Sequence, residues 1–568
     1  SPSRGLGDVY KRQILRNPKA PMERIAHYPE IVGTVLAARG ITTPEDAQNF
    51  YRPEEAPKND PFLLPDISNA LLRLDKAISE GEIIALFGDF DVDGITSIAV
   101  LKIGLEQVGA KLITYLPDRF TEGYGLNQNA VHKLSKQGAS VLITADCGTS
   151  SVEEITLANK LGIDVIVIDH HTVPEKLPPA LALINPKRPD SLYPFREMAA
   201  VGVAFRFLES FFESKKLTFP ANELIDLVAL GTVVDVAPLI DENRTIVKAG
   251  LEIMTKQPRT GIHSLSQTAK IKNQLSAEQL AFALGPRLNA AGRLAHASLA
   301  FELLTTSKTQ TSMELSEKLE TLNLQRRKEC TEAHLLAEEL AGTTTDPLIM
   351  VGSNQIHAGI IGIVAARLAE SRKRPAIVYE RQQEESRASA RSIPQFDIVK
   401  AIRKESSLLE RYGGHRAAAG FTIRNENVET FREKIINTAA ELMESVDLRG
   451  TIEIDAEATL GNIKGSELRG LLAFEPCGHS NPKPVLFSKN VQLIEKKRVG
   501  SEQEHLRLKI KDGGITWQGI AFGKGDLELT EQIDIVYSLK KGWYERTEIE
   551  VFDACPSGLR DIENRVEN

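Results

Sequence analysis

From about residue 82 the chain alternates short apolar runs with segments of helical period. EIIALFG, KLITYLP, SVLITAD and DVIVIDH are β-branched runs with little polar alternation, which predicts strands buried on both faces. Helical segments separate them, the first from about Gly94 to Val108, so the pattern predicts repeated βαβ units and a parallel sheet. A helix from about Asn222 to Val234 follows. Beyond residue 255 the pattern turns helical, with a long charged helix from about Gln310 to Leu340 that reads as a connector. A second α/β segment covers about 346 to 445. Short alternating strands such as HLRLKIKD, ITWQGIAF and QIDIVYSL then predict a small β-barrel of OB type.

The expected division is an N-terminal segment 1–75, an α/β domain 76–255, a helical region and connector 256–345, a second α/β domain 346–445, and a barrel with its tail 446–568. A chain of 568 residues is too long for a single core. Residues 1–13, SPSRGLGDVYKRQ, lack an initiating Met and show no periodicity, so they are expected to be foreign to the fold and are set aside.

Composition narrows the class. Hydrophobic content of 42% and charged content of 26% exclude a disordered chain. No apolar run is long enough to span a bilayer and no secretory pattern opens the chain, so the expected location is the cytoplasm, with no membrane partner. Cys147, Cys330, Cys477 and Cys555 have neither zinc nor disulfide spacing and read as free thiols. The net charge of −8 argues against indiscriminate nucleic-acid binding but leaves room for a local basic groove.

The stretch GDFDVDG puts Asp89, Asp91 and Asp93 directly after one predicted strand. Asp146 ends a second strand, Asp169, His170 and His171 end a third, and Asp235 ends the helix of GTVVDVAPL. Taken singly, each motif has an ordinary reading as an acidic turn, a cap or a packed histidine. Together they occupy the carboxyl edge of one sheet, where open α/β folds bind ligands. Carboxylates and imidazoles without thiolates suit Mn²⁺ or Mg²⁺. Five Asp and one His exceed what a single octahedral ion needs, which points to two ions, the usual apparatus of phosphodiester hydrolysis.

GDFDVDG, DCGTS, IDHHTVP and VVDVAPL, in this order, resemble the four signature motifs of the DHH phosphoesterase superfamily, and GGHRAAAGF resembles its DHH-associated domain. YLPDRFTEGYG, GPRLNAAGRL and SARSI, followed by an OB-like barrel, are similar to a branch of single-strand-specific DNA exonucleases. The resemblance implies a parallel-sheet DHH domain, a long helical connector, a second α/β DHH-associated domain and a C-terminal OB-like barrel. It implies 5′ to 3′ hydrolysis of single-stranded DNA with two Mn²⁺ or Mg²⁺ ions, releasing 5′-mononucleotides in recombination and repair.

By the same resemblance, Asp91 and Asp146, with Asp89, hold one ion, and Asp93, Asp146, His170 and Asp235 hold the other. Asp169 orients His170 through its second ring nitrogen, while His171 and His415 lie near the scissile phosphate. Arg119, Ser389 and Arg391 take a terminal 5′-phosphate, and Arg287, Asn289 and Arg293 contact the backbone near the site. On the barrel, Lys509, Trp517, Trp543 and Tyr544 suggest an extended strand running over charge and aromatics. Implied partners are single-stranded DNA with a 5′ end, single-strand-binding protein and a RecQ-type helicase, for a monomeric enzyme. Two alternatives stay open: a DHH phosphodiesterase acting on short RNA or cyclic dinucleotides, and a noncatalytic DNA-binding replication scaffold. The chain departs from the pattern at Ile356 and Ala358, and at Cys477 and Ser480 in EPCGHSNPKPV. These changes are expected to touch none of the ligands and to bear only on local packing and DNA contacts of the second and third domains; the two-metal cleft is expected to lie wholly within residues 76–445.

Overall fold

The structure, a computed structural model, describes residues 12–16, 25, 28–272, 274–444, 451–541, 547–558 and 563–564. At its centre is a five-stranded, all-parallel sheet with Ile83–Gly88 flanked by Lys111–Tyr115 and Ala139–Ala145, and continued by Asp164–Ile168 and Ala182–Ile184. Helices Ile67–Glu80, Val92–Glu106, Ala200–Ser214 and Ala221–Val234 pack into one large core with this sheet, and Gln128–Lys136 and Val152–Lys160 enclose a second. Helix Val92–Glu106 is buried on almost every side, so its sequence carries no amphipathic stripe. It starts two residues before the position expected from periodicity, because the Asp91 carboxylate caps it by accepting the N–H groups of Asp93 (2.9 Å) and Gly94 (3.3 Å).

The connector is one 33-residue helix, Thr309–Ala341. It leads to a five-stranded sheet in which Ile349–Ser353 and Ala376–Arg381 are parallel, while Glu385–Arg391, Ala418–Arg424 and Leu409–His415 add antiparallel. The barrel closes because the long strand Leu486–Val499 pairs with His505–Asp512 over its second half and with Gln532–Lys541 over its first, with irregularities near Val491 and Glu495 that turn the corner. No helix among the described residues is long and apolar enough to cross a membrane.

Arg12 and Gln13, set aside in reading the sequence, belong to the fold. Strand Arg12–Leu15 pairs in parallel with Thr451–Ile454, and Gln13 is buried and donates to Asp553 (2.9 Å). The N-terminal helices Glu30–Ala38 and Pro44–Tyr51 share the barrel's core. The barrel side is joined to the central domain by Arg244, on helix Asp241–Lys256, which is 2% exposed. Its guanidinium donates to the carbonyls of Phe50 (3.1 Å), Phe474 (3.0 Å), Glu475 (3.2 Å) and Pro476 (2.9 Å), and lies 4.1 Å from the centre of the Phe50 ring. Burial lowers its pKa to about 10, which leaves it charged at neutral pH.

Arg244→Ala removes the guanidinium donors from the Phe50, Phe474, Glu475 and Pro476 carbonyls, of which Phe474 O and Pro476 O keep Asn481 Nδ2. It is expected to remove at least about 3 kcal/mol of stability in urea denaturation. Arg244→Lys is expected to recover less than half, since one ammonium cannot reproduce a planar five-donor fork. Equal stability of Arg244→Lys and the parent would show that charge alone, without the fork, makes the joint.

Candidate functional site

Strand endings bring the carboxylates together. Asp89 follows Ile83–Gly88, Asp146 follows Ala139–Ala145, and Asp169 to His171 follow Asp164–Ile168, while Asp235 caps the end of Ala221–Val234. Oxygens of Asp89, Asp91 and Asp146 lie within 4.8 Å of one another, as do ligand atoms of Asp93, His170 and Asp235, and of Asp146, His170 and His171. His170 Nε2 is 3.3 Å from Asp146 and 3.8 Å from Asp93, and its Nδ1 is 3.8 Å from Asp235. Asp146 belongs to two of the groups and adopts a left-handed backbone (φ 62°), an uncommon conformation that Asp tolerates better than most residues.

These carboxylates are buried against one another with little to neutralise them. Burial and then Asp91 raise the pKa of Asp93 to about 7, although Asp93 accepts N–H groups of Ala200 (2.8 Å) and Val201 (2.9 Å) at a helix N-terminus. Burial and then Asp93 raise that of Asp235 to about 9. Asp89 and Asp146 are pushed up as well, by burial first and by neighbouring carboxylates second. Asp89 Oδ1 is buried without a hydrogen-bond partner among the described residues. An orphaned oxygen in a ring of crowded acids fits a divalent cation, whose charge would reverse each of these shifts. His170 is brought down to about 3, by burial first, so its ring is neutral and has a lone pair to offer.

The structure changes the expected second contacts. Asp169 does not orient the His170 ring: its Oδ1 lies 2.8 Å from Nδ1 of His171 and accepts the backbone N–H groups of His170 (2.8 Å) and His171 (3.1 Å). The His170 ring lies instead under the influence of the Met198 backbone. Burial alone would raise Asp169, but the His171 hydrogen bond and charge hold it well below the usual range. The same pair raises His171 against the opposing effect of burial. Arg287 does not face the cleft, since its guanidinium is paired with Glu320 of the connector and donates to Ala283 O (2.8 Å). Asn289 is a brace, its Oδ1 accepting the Val92 N–H (3.2 Å) at the start of the helix that carries Asp93.

Cations gather beside the acids. Arg119 lies 4.6 Å from the centre of the Phe90 ring, within the field of Asp89 and Asp91. Arg391 donates to Ser389 Oγ (3.0 Å), and burial and then Arg119 lower its pKa. Arg293, anchored on Gly359 O (3.1 Å), is brought down to about 10 by burial and then by Arg119. Among the described residues none of the three forms an ion pair, so three guanidiniums are left with charge to offer an anion. A Cβ on Gly362 would lie 2.9 Å from Arg391 Nη2, so this glycine leaves room for the guanidinium. His415 comes from the second sheet on the hairpin formed with Ala418–Arg424; burial, His171 and Lys187 lower its pKa.

Trp517 is a core residue, 6% exposed, because odd positions of strand Ile515–Ala521 point into the barrel. It is not available for stacking, and Trp543 and Tyr544 lie outside the described residues. Lys509 is half-buried, between Gln518 and Glu495 in register. The exposed ring that the sequence reading missed is Phe522, 48% exposed, with its ring 5.2 Å from His505 and Lys540 Nζ 5.1 Å above it. Counting the strand's alternation on to position 522 would have found it. Also missed were Lys187, in the NPKRPD stretch after the last sheet strand, and Tyr124, whose hydroxyl is 3.2 Å from His171 Nε2 and donates to Asp146 O (3.3 Å). From outside residues 76–445, His479 reaches the turn after the cluster, its Nδ1 2.8 Å from Val236 O, next to Asp235.

Three domain profiles match the chain. The DHH family N-terminal domain profile matches residues 83–232, the DHHA1 domain 345–441 and the RecJ OB domain 454–552. The single-stranded-DNA-specific exonuclease RecJ of Dickeya dadantii is 32% identical over 557 residues, covering 93% of this chain and 96% of its own length. That of Escherichia coli is 32% identical, covering 90% and 93%. That of Bacillus subtilis is 33% identical over 88% of this chain, and the chain spans 64% of its length. The crystal structure of RecJ from Thermus thermophilus in complex with Mn²⁺ superposes with a TM-score of 0.83 at 26% identity, covering 98% of this chain and 81% of that one. The same protein in complex with Mg²⁺ gives 0.76 at 25%, covering 96% and 79%.

The acid cluster sets a pH dependence. Folded Asp93 and Asp235 hold protons up to about 7 and about 9, against about 3.9 in an unfolded chain. Their stabilising contribution is therefore complete below about pH 4 and lost as pH rises through the folded values. Asp169 has the opposite sign, and its contribution is lost only in acid below that range. In chelator the melting temperature should fall from about pH 5 to about pH 10, and Asp235→Asn should flatten the fall. A flat profile for the parent chain would mean that the acids do not repel one another in solution.

Proposed function

The chain belongs to the RecJ family of single-stranded-DNA-specific exonucleases, and from that membership we propose that it removes 5′-mononucleotides from the 5′ end of a single strand by phosphodiester hydrolysis. One observation carries the reading: an acid cluster fit for divalent ions shares its cleft with an uncompensated arginine pocket. Asp89, Asp91 and Asp146 would hold one ion, and Asp93, Asp146, His170 and Asp235 the other. When bound, Mn²⁺ or Mg²⁺ at these positions supplies charge neutralisation of the scissile phosphate and activation of a water at neutral pH.

The protein's own groups do the rest. Asp169 fixes the His171 ring through Nδ1, with its Nε2 edge beside Tyr124, where it can meet the phosphate. His415 approaches from the second sheet and encloses the phosphate from the opposite side. Arg119, Arg391 and the Ser389 hydroxyl bind a terminal phosphate, whose second negative charge distinguishes it from an internal diester. That contact fixes polarity, since the strand can enter only with its 5′ end seated. Arg293 holds the adjacent backbone. On the barrel, Phe522 offers a face for a base while Lys509 and Lys540 follow the phosphates. The enzyme would act as a cytoplasmic monomer in recombination and repair, on strands opened by a RecQ-type helicase and covered by single-strand-binding protein.

Asp146→Ala should reduce hydrolysis of a 5′-phosphorylated strand in Mn²⁺ by more than about a hundredfold, while single-strand binding falls less than about threefold. Retention of a tenth of the parent rate would remove Asp146 from its shared position.

Arg119→Ala and Arg391→Ala should each narrow the preference for 5′-phosphate over 5′-hydroxyl ends by about tenfold or more, because a charge-assisted contact to the end group is lost. The readout is the ratio of kcat/KM on the two ends; an unchanged ratio in both variants would move the end-binding site elsewhere.

A further inference from the structure

The loop 474–481, at the entrance to the C-terminal barrel, reaches across to the turn that follows Asp235. Helix Ala221–Val234 ends with Val236 in a left-handed conformation (φ 62°), the position usually given to glycine, and Ala237 N donates back to Thr232 O (3.2 Å). A β-branched residue resists that conformation, and Val236 is 62% exposed, so its own packing does not hold it there. Two hydrogen bonds from one residue span the turn. His479 Nδ1 is 2.8 Å from Val236 O, which only a protonated nitrogen can approach as a donor, and Leu239 N donates to His479 O (2.8 Å). Gly478 packs beneath, where an added Cβ would come within 2.7 Å of Leu239 Cδ1.

The loop is itself fixed from behind. Asn481 Nδ2 donates to Phe474 O (3.2 Å) and Pro476 O (2.9 Å), Arg39 donates to Asn481 Oδ1 (3.0 Å), and Arg244 binds the carbonyls of 473–476. The bracing therefore comes from a rigid element outside the central domain.

We propose that His479 is a positioning residue for Asp235: the barrel-side loop holds the left-handed turn at Val236 and thereby fixes the direction of the Asp235 carboxylate toward Asp93 and His170. This rests on Asp235 being a metal ligand. The nuclease site is then completed only when the C-terminal domain is docked, and the departure at Ser480, itself left-handed (φ 59°), lies within the bracing loop.

The test uses the full chain freed of metal and titrated with Mn²⁺ by calorimetry, alongside kcat and KM on a 5′-phosphorylated strand. His479→Ala is expected to weaken Mn²⁺ binding about tenfold and lower kcat, with KM for DNA unchanged. His479→Asn should recover both values, because its amide donates to the same carbonyl. Val236→Gly in the His479→Ala background should also recover them, since glycine adopts the left-handed turn without a brace. Parent-like Mn²⁺ binding in His479→Ala, or a loss that neither second change relieves, would overturn the proposal. Asp235→Ala separates the two layers: if it too leaves Mn²⁺ binding intact, the ligand assignment has failed, and if it weakens binding where His479→Ala does not, only the brace has.

Discussion

Everything in the central domain depends on holding mutually repelling carboxylates in one buried crevice. Asp89, Asp91, Asp93, Asp146 and Asp235 would separate if the backbone allowed it. They cannot, because two of the segments that carry them are continuations of adjacent parallel strands and the third ends a helix buried in the same core. The sheet's ladder and the all-round burial of helix Val92–Glu106 supply the restraint, and the repulsion is left for a cation to relieve. Stability in the scaffold is thus converted into affinity at its edge.

Charge of the other sign is kept apart from the acids by a few side chains. Arg119 stacks on Phe90, the residue between Asp89 and Asp91, so one short turn faces both the acid cluster and the arginine pocket. Arg293 and Arg391 are held by carbonyls and a hydroxyl, partners that orient a guanidinium without neutralising it. Where an arginine in the same region is neutralised, as Arg287 is by Glu320, it serves to join helix Gly285–Leu294 to the connector. Pairing with a carboxylate thus divides the guanidinium built into the scaffold from those left open beside the acids.

The domains are joined by polar contacts of high specificity. Arg244 binds a ring of backbone carbonyls, Arg39 pairs with Asp455 (2.9 Å), and the N-terminal strand Arg12–Leu15 is inserted beside Thr451–Ile454. The N-terminal segment consequently belongs to the barrel's core although it is farthest from it in sequence. Such a joint holds the loop 474–481 against Val236.

Much of this was legible in the chain. The four runs EIIALFG, KLITYLP, SVLITAD and DVIVIDH are strands of one parallel sheet, and the acids that follow three of them meet at its carboxyl edge. Both facts follow from local patterns: burial on two faces requires unbroken apolar strands, and parallel strands end on the same side. Partner choice was not legible. Asp169 serves the ring of His171 and not that of His170, Arg287 is taken by Glu320, Trp517 faces the barrel interior while Phe522 faces out, and His479 braces a turn 243 residues away. A carboxylate, a guanidinium or an aromatic ring reads the same in sequence whether it is free or engaged. Periodicity is set by neighbours a few residues apart and fixes the elements, but engagement is set by distance in space between remote segments, and only the tertiary structure decides it.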